Sequence, residues 1–380
     1  MNTLKPVVKI STIQFGMLVM LYTIGSTIVI APAAMTVDSK QTAWIPAILG
    51  VVCGFVLVKV YIALGLLFKD KNLVEINEAV FGKYLGKGVS CLFVTSAVIT
   101  CSRIVYYVGS FLNTHIMMET PLIAIHIIFM LVVVFGARLG LETIARCCEI
   151  FFPWFIGLLG IFIFSLTPQM KIENLMPLLD IHLKPLTHSV FIFLSITYFT
   201  FAPLMMVFPL HLRKPEKGAK ALMSGSLLGG FIMVAIILFC IMVIGSYHSS
   251  TTMFPVYEMA KRIEVGNFLQ GIEVIIAIIW FLTLFFKISL YFYASIAGLC
   301  HIFNINETRF LTLPMGLIVT TFSIIVYPTI TYQKTWLAET WIPYSFLIGA
   351  LYPFILLIIG WIRFKPAKIK IKIKKIIKST

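Results

Sequence analysis

Charge is what this sequence has least of. Only 12% of its 380 residues are Asp, Glu, Lys or Arg, against about 25% in a soluble domain. Hydrophobic residues fill 60% and the mean hydropathy is +1.01, so most of the chain cannot face water. The seven cysteines (Cys53, Cys91, Cys101, Cys147, Cys148, Cys240 and Cys300) form no CxxC pair, which removes the usual zinc and thioredoxin signatures. They lie within or beside apolar runs and are expected to act as small packing residues. There is no HExxH, no P-loop and no pair of catalytic carboxylates, and the Ser and Thr residues lack a neighbouring base. An enzyme is therefore not expected, nor a metal or cofactor. A cleavable signal peptide is not expected either. The apolar run from Ile13 to Ala34 is too long for a signal core, lacks a convincing small-residue cleavage site and reads as a retained span.

What is present is a series of apolar runs long enough to cross about 30 Å of hydrocarbon. They fall at roughly 11–35, 42–67, 88–112, 121–139, 143–166, 187–210, 219–246, 268–299, 310–330 and 340–362. Ten spans place both termini on one side. Of the 30 Lys and Arg residues, 21 fall in the loops and tails of that side and 6 on the other. The positive-inside rule then makes both termini cytoplasmic. The net charge of +15 is explained by this topology, so nucleic acid is not an expected partner. The expected organisation is one transmembrane domain over 1–362, followed by a basic cytoplasmic tail over 363–380.

Three segments outside the spans have character. Residues 72–87 space Leu73, Ile76, Val80, Phe81 and Tyr84 as one apolar helical face, which predicts a short amphipathic helix on the cytoplasmic side. The loops 167–186 and 247–267 are the long outer ones, the second with an amphipathic stretch around Val256 to Phe268. The tail alternates Lys and Ile with a period of two, and its expected partner is anionic lipid.

Polar, helix-weakening residues interrupt two spans. In span 1 the run Tyr22-Thr23-Ile24-Gly25-Ser26-Thr27 is followed by Pro32. In span 6 the run Ser195-Ile196-Thr197-Tyr198-Phe199-Thr200-Phe201-Ala202 ends at Pro203. Gly and Pro weaken a helix, and Ser and Thr can satisfy the backbone groups set free. Breaks five spans apart point to inverted repeats of five helices, whose half-helix ends meet a substrate near mid-membrane. The halves fall near 11–166 and 187–330, with terminal helices reaching 362.

At these residues the chain resembles the spore-germination B-subunit (GerAB-type) family, a branch of the amino acid–polyamine–organocation (APC) transporter superfamily. IGSTIVIAP at 24–32 is similar to its first-span motif. The Leu73–Gly86 segment, Thr120-Pro121, RLGLETIARCCEIFFPW at 138–154, NLMPLL at 174–179, the Pro209 region and KISLYFYASIAGL at 287–299 fit in order. The resemblance covers nearly the whole chain. It implies an all-α, LeuT/APC-like 5+5 inverted repeat with broken helices 1 and 6. It also implies membership of a nutrient receptor in the spore inner membrane, with A and C subunits as partners. One departure stands out: a Gly-aromatic-acid triplet common in the family's span 6 is here Thr200-Phe201-Ala202, so the ligand class does not carry over.

Charges inside spans are costly and mark function or pairing. Lys59 can snorkel, and Glu273 is near an outer end. Arg103 and Lys287 lie deep, and Glu149 sits at a depth where a Glu149–Lys287 pair is geometrically possible. The fold implied by the resemblance places a cation site among spans 1, 5 and 8, where Lys287, with Ser289 beside it, is the candidate for a permanent ion substitute. Tyr106, Tyr107, Tyr198, Phe201, Tyr291 and Tyr293 are candidate pocket walls, His126 a core histidine, and GSLLG at 225–229 a close helix contact. The expected ligand is a small nutrient, an amino acid or similar zwitterion. It would be held by Gly25, Ser26, Thr27, Tyr106, Thr197, Tyr198, Thr200 and Phe201. A secondary amino acid transporter, or a water- or ion-conducting pore element lined by Arg103 and Lys287, are the alternatives.

Overall fold

The computed structural model describes residues 9–179, 182–263 and 271–377, with side chains as far as Phe364. Among the described residues, ten helical segments are long and apolar enough to cross a membrane. They are Thr12–Thr42, Trp44–Leu67, Lys83–His115, Leu122–Leu139, Leu141–Gln169, Leu183–Met206, Pro215–Thr251, Glu273–Phe303, Thr308–Ile325 and Ile330–Phe364, numbered here as spans 1 to 10. With ten crossings the first and last described residues lie on one side, called the terminal face; the other is the far face.

Burial separates the spans into a centre and a periphery. Spans 1 and 6 are 83% and 89% buried over their most apolar stretch, while spans 4, 5, 9 and 10 stay near 30% and carry the apolar surface that lipid would cover. Span 7 lies against span 1 through the GSLLG glycines. A Cβ on Gly225 would sit 2.5 Å from the carbonyl oxygen of Gly16, and one on Gly229 would sit 2.8 Å from Cβ of Thr23. Small residues let the two backbones approach this closely.

Span 10 begins ten residues before the sequence pattern suggested. It passes through two wide π turns, Trp336–Thr340 and Leu347–Leu351, on either side of the helix Trp341–Phe346 that contains Pro343. Proline cannot donate a backbone hydrogen bond, and local π turns are a common way for a long helix to absorb such a residue.

The amphipathic helix between spans 2 and 3 runs Leu73–Phe81. It is started by an Asn72–Glu75 capping box and ended at Gly82, whose φ of 86° suits glycine. Its apolar face packs into the protein. Leu73, Val74, Ile76 and Val80 are buried, Asn77 accepts from the Tyr352 hydroxyl at 2.6 Å, and the Val80 carbonyl accepts from Arg363 at 2.6 Å. Tyr84 belongs to the start of span 3 and is 88% exposed, because the turn at Gly82 breaks the helical spacing that linked it to Leu73. On the far face a helix occupies Pro255–Lys261; residues 264–270 of the expected amphipathic stretch lie outside the described residues. The last helix carries its backbone to Ile377, so the Lys–Ile alternation forms no strand there. The tail's side chains, and hence its lipid contacts, lie outside the described residues.

Candidate functional site

Span 1 is two helices, Thr12–Ile24 and Thr27–Ser39, parted at Gly25-Ser26. Span 6 is the helix Leu183–Thr197, a break over Tyr198–Phe201, and a 3-10 turn Ala202–Met206. The two breaks meet, with Thr197 Oγ1 donating to Thr27 Oγ1 at 3.3 Å. Backbone groups freed inside a membrane need partners, and spans 1 and 8 supply them to span 6. The Thr200 carbonyl accepts from the hydroxyls of Tyr22 at 2.5 Å and Tyr291 at 3.1 Å, and the Ile196 carbonyl accepts from Lys287 Nζ at 3.3 Å. Tyr22 and Tyr291 stack with ring centres 5.8 Å apart, and Phe201 closes on Tyr22 at 5.9 Å. The span 1 break is left differently. The first N–H groups of a helix have no partner within it, and Ser26, which caps the half-helix starting at Thr27, makes no side-chain capping bond.

Lys287 is fully buried. Its stem passes under Gly25, where a Cβ would lie 2.5 Å from Lys287 Cδ, and its ammonium lies 5.1 Å from the centre of the Tyr22 ring. Lys287 thus touches both breaks at once. The postulated Glu149–Lys287 pair does not form. Glu149 is exposed and accepts from Gln14 Nε2 at 2.7 Å, because a carboxylate that can reach water and an amide donor avoids the desolvation a buried pair requires. Glu149 is therefore not a buried charge of this site. Ser289 is not beside Lys287 either. Two residues along a helix turn by about 200°, and Ser289 is buried elsewhere, with its hydroxyl making no hydrogen bond among the described residues.

Two of the expected aromatic walls face away from the breaks. Tyr198 packs between spans 2 and 7. A Cβ on Gly54 would fall 2.3 Å from its ring, and its hydroxyl donates to the Ser226 carbonyl at 3.2 Å. Tyr106 sets its edge against His126 and Tyr327, while its neighbour Tyr107, about 100° further round the helix, lines a cavity. Arg103 is 4% exposed; its guanidinium stacks 3.8 Å over Trp341, and its Nε donates to the Tyr327 hydroxyl. This aromatic clasp holds the buried guanidinium through cation–π contact and a hydrogen bond to a phenol. His126 is a core histidine, bonded through Nδ1 to Ser323 at 2.8 Å. Among the described residues no cluster of His, Cys, Asp and Glu could hold a metal ion.

The path to the breaks is asymmetric. Between the far-side halves of spans 1, 3, 6 and 10, and closed by Ser250, Thr252 and Met253 at the end of span 7, lies a cavity of about 300 Å³. A space of only about 20 Å³ adjoins the span 6 break on the side of spans 3, 8 and 10, beside Thr100, Thr200, Tyr291 and Trp341. Toward the terminal face the chain is closed: Phe15 stacks on Phe208 at 6.1 Å, and the Ile10 N–H donates to the His211 carbonyl at 2.9 Å. Sequence reasoning missed Asp38, His188, Gln333 and Lys334, which line the far cavity. A lone acid at the end of span 1 was the one signal available.

Known proteins share both fold and sequence with this chain. The structure of MhsT in complex with L-phenylalanine superposes with a TM-score of 0.70 at 16% identity, covering 92% of this chain and 90% of that one. Mhp1, a nucleobase-cation-symport-1 family transporter in a closed conformation with bromovinylhydantoin bound, gives 0.67 at 11% identity, covering 92% and 81%. The fold is thus the LeuT/APC-like inverted repeat of five helices with helices 1 and 6 broken. In sequence, the spore germination protein KB of Bacillus subtilis (strain 168) is 27% identical over 315 residues, 81% of this chain and 83% of its own length. Spore germination protein B2 of the same organism is 22% identical over 366 residues, 94% and 96%. GerLB of Bacillus cereus is 25% identical over 296 residues, 74% and 77%. A family profile described as spore germination protein matches residues 9–331, and the chain belongs to that spore germination protein family.

Proposed function

We propose that this chain is the B subunit of a nutrient (germinant) receptor. A small amino-acid-like ligand binds mid-membrane between the breaks of spans 1 and 6, and the altered helix arrangement signals to partner subunits to trigger germination. The observation that carries this reading is the start of the half-helix at Thr27, which has no side-chain cap and is set inside the protein beside a buried lysine. A helix N-terminus presents N–H donors and a partial positive charge, which suits a carboxylate. Lys287 stands where a coupling cation would otherwise bridge the two halves, so ligand binding needs no ion. A ligand that prefers one arrangement of the helices shifts the population toward it in proportion to that preference. The names of the relatives, all spore germination proteins, support the biological setting.

In this reading the chain resides in the spore inner membrane with both termini cytoplasmic, assembles with A and C subunits, and is not an enzyme. The domain over 1–362 carries the site, and the tail attaches to anionic lipid. A second reading, a secondary transporter of amino acids, is favoured by the fold shared with transporters and by a path open on one side only. The test is a strain carrying this subunit as its sole receptor, scored for germination on a nutrient panel. In parallel, labelled nutrient uptake is measured in reconstituted vesicles. Germination without uptake supports the receptor; concentrative uptake supports the transporter.

A further inference from the structure

Span 2 carries a cation on its outward face. Lys59 lies eight residues before the end of the helix Trp44–Leu67, about 12 Å of rise from that end. It is exposed, among the exposed apolar residues Val52, Val56 and Ala63 of the same helical side. A long cation near the end of a span usually snorkels to water, but Lys59 does not. Side chains of an α-helix lean toward its N-terminus, and span 2 starts at the far face, so Lys59 leans away from the nearer surface. Its ammonium lies 4.3 Å from the centre of the Phe55 ring, and Phe55 stands at the middle of the helix. The far end of the span is about 22 Å from Lys59, beyond the reach of its side chain. No carboxylate pairs with it among the described residues, and one ring face is weak compensation for a cation in hydrocarbon.

We propose that this face of span 2 docks a transmembrane helix of a different protein, and that the docked helix brings an Asp or Glu to Lys59. Charges inside a membrane face protein or pair with one another. Here the charge faces outward, so the protein it faces is a neighbour. The carboxylate completes an ion pair that the Phe55 ring already flanks, and Val52, Val56 and Ala63 supply apolar contact around it. A second copy of this chain does not fit. Among the described residues, the acid at the same depth in the terminal half of a span is Glu149, eight residues into span 5. Its carboxylate is engaged by Gln14, in a polar pocket shared with Arg146 and Arg213. The partner is therefore another chain, with an acid at that depth in its own transmembrane segment. This docking face is independent of what binds at the breaks.

The test places the photoreactive residue p-benzoylphenylalanine at Val56 of the full-length chain, made in its own organism, and irradiates intact membranes. Leu317, exposed on span 9, is the control position. A defined protein adduct is expected from Val56 and not from Leu317, and mass spectrometry is expected to map it to a transmembrane segment with an Asp or Glu. Lys59→Leu is expected to lower the recovery of that partner with the chain by about tenfold or more, as loss of one member of a buried ion pair does. Lys59→Arg is expected to keep it. Lys59→Glu is expected to lose it, and to regain it when the partner's acid is changed to Lys. Purified alone in nanodiscs, the Lys59→Leu chain is expected to unfold at a temperature no lower than the wild type, because leucine suits lipid better than an unpaired cation. A lower unfolding temperature assigns the lysine to the chain's own packing and overturns the docking face. So does the lack of an adduct at Val56, an adduct to a segment without an acid or to a second copy of this chain, or full partner recovery with Lys59→Leu. None of these readouts uses a nutrient, so a failed docking face leaves the receptor reading standing, and the reverse holds.

Discussion

Gly25 and Lys287 occupy space that only glycine can share. A Cβ at position 25 would lie 2.5 Å from Lys287 Cδ, 3.1 Å from its Cβ and 2.9 Å from the Tyr22 carbonyl oxygen. The break in span 1 therefore rests directly on a fully buried lysine of span 8, whose ammonium reaches the Ile196 carbonyl at the edge of the span 6 break. One side chain links the two half-helix ends on which the proposed ligand site depends.

The first prediction follows from that contact. The lysine stem could yield to a methyl group, but the Tyr22 carbonyl is backbone and cannot move independently. Gly25→Ala should raise the nutrient concentration for half-maximal germination by about tenfold, and Gly25→Leu should abolish the response. Immunoblots of spore membranes should show unchanged subunit levels. Adding Lys287→Ala to Gly25→Ala should not restore the response, because the clash with the Tyr22 carbonyl remains and the buried cation is lost as well.

Replacing Lys287 with Met keeps the apolar stem and removes the charge. An impaired nutrient response is expected in an assembled receptor. A normal dose–response in a folded Lys287→Met subunit would show that the cation has no part in sensing.

The Thr200 carbonyl offers a sharper energetic test, since it accepts from both Tyr22 and Tyr291. Tyr291→Phe alone leaves one donor in place and should cost about 1 kcal/mol. Tyr22→Phe with Tyr291→Phe leaves a buried carbonyl with neither phenol donor and should cost more than the sum of the single changes, by about 1–3 kcal/mol. Denaturant unfolding in detergent of the two single variants and the double would measure this directly.

Arg103 tests the aromatic clasp. Lysine keeps the charge but loses the flat face that lies on Trp341 and the Nε–H given to Tyr327. Arg103→Lys should destabilise the protein by about 1–2 kcal/mol, seen as a lower midpoint of thermal unfolding. Trp341→Ala should have an effect in the same direction.

Much of this architecture was legible because membranes impose one rule on sequence: an apolar run of about 20 residues is a span. The glycine, serine and threonine runs at 22–27 and 195–202 likewise announced the two breaks, since such residues weaken helices and cap them. Side-chain direction was harder to read. Tyr106 and Tyr107 are adjacent in sequence, and only the rotation of span 3 about its axis decides that Tyr107 meets the cavity. Tyr198 lies within the break yet turns toward Gly54 and Gly230, a pairing between distant positions that no local pattern encodes. Glu149 and Lys287 shared a depth, but depth leaves open which way each side chain points. The polar residues of the far cavity come from spans 1, 3, 6 and 10 and the end of span 7, so their convergence exists only in the folded chain.

In the proposed receptor a nutrient lies between the breaks of spans 1 and 6. The most direct test is a cryo-electron microscopy map of the assembled receptor at a saturating concentration of a nutrient that triggers the strain. Ligand density is expected with its carboxylate at the amides of Ser26 and Thr27, within reach of Lys287 and Thr197. A map of comparable quality in which that space stays as closed as it is here, with the nutrient bound only on another subunit, would contradict it.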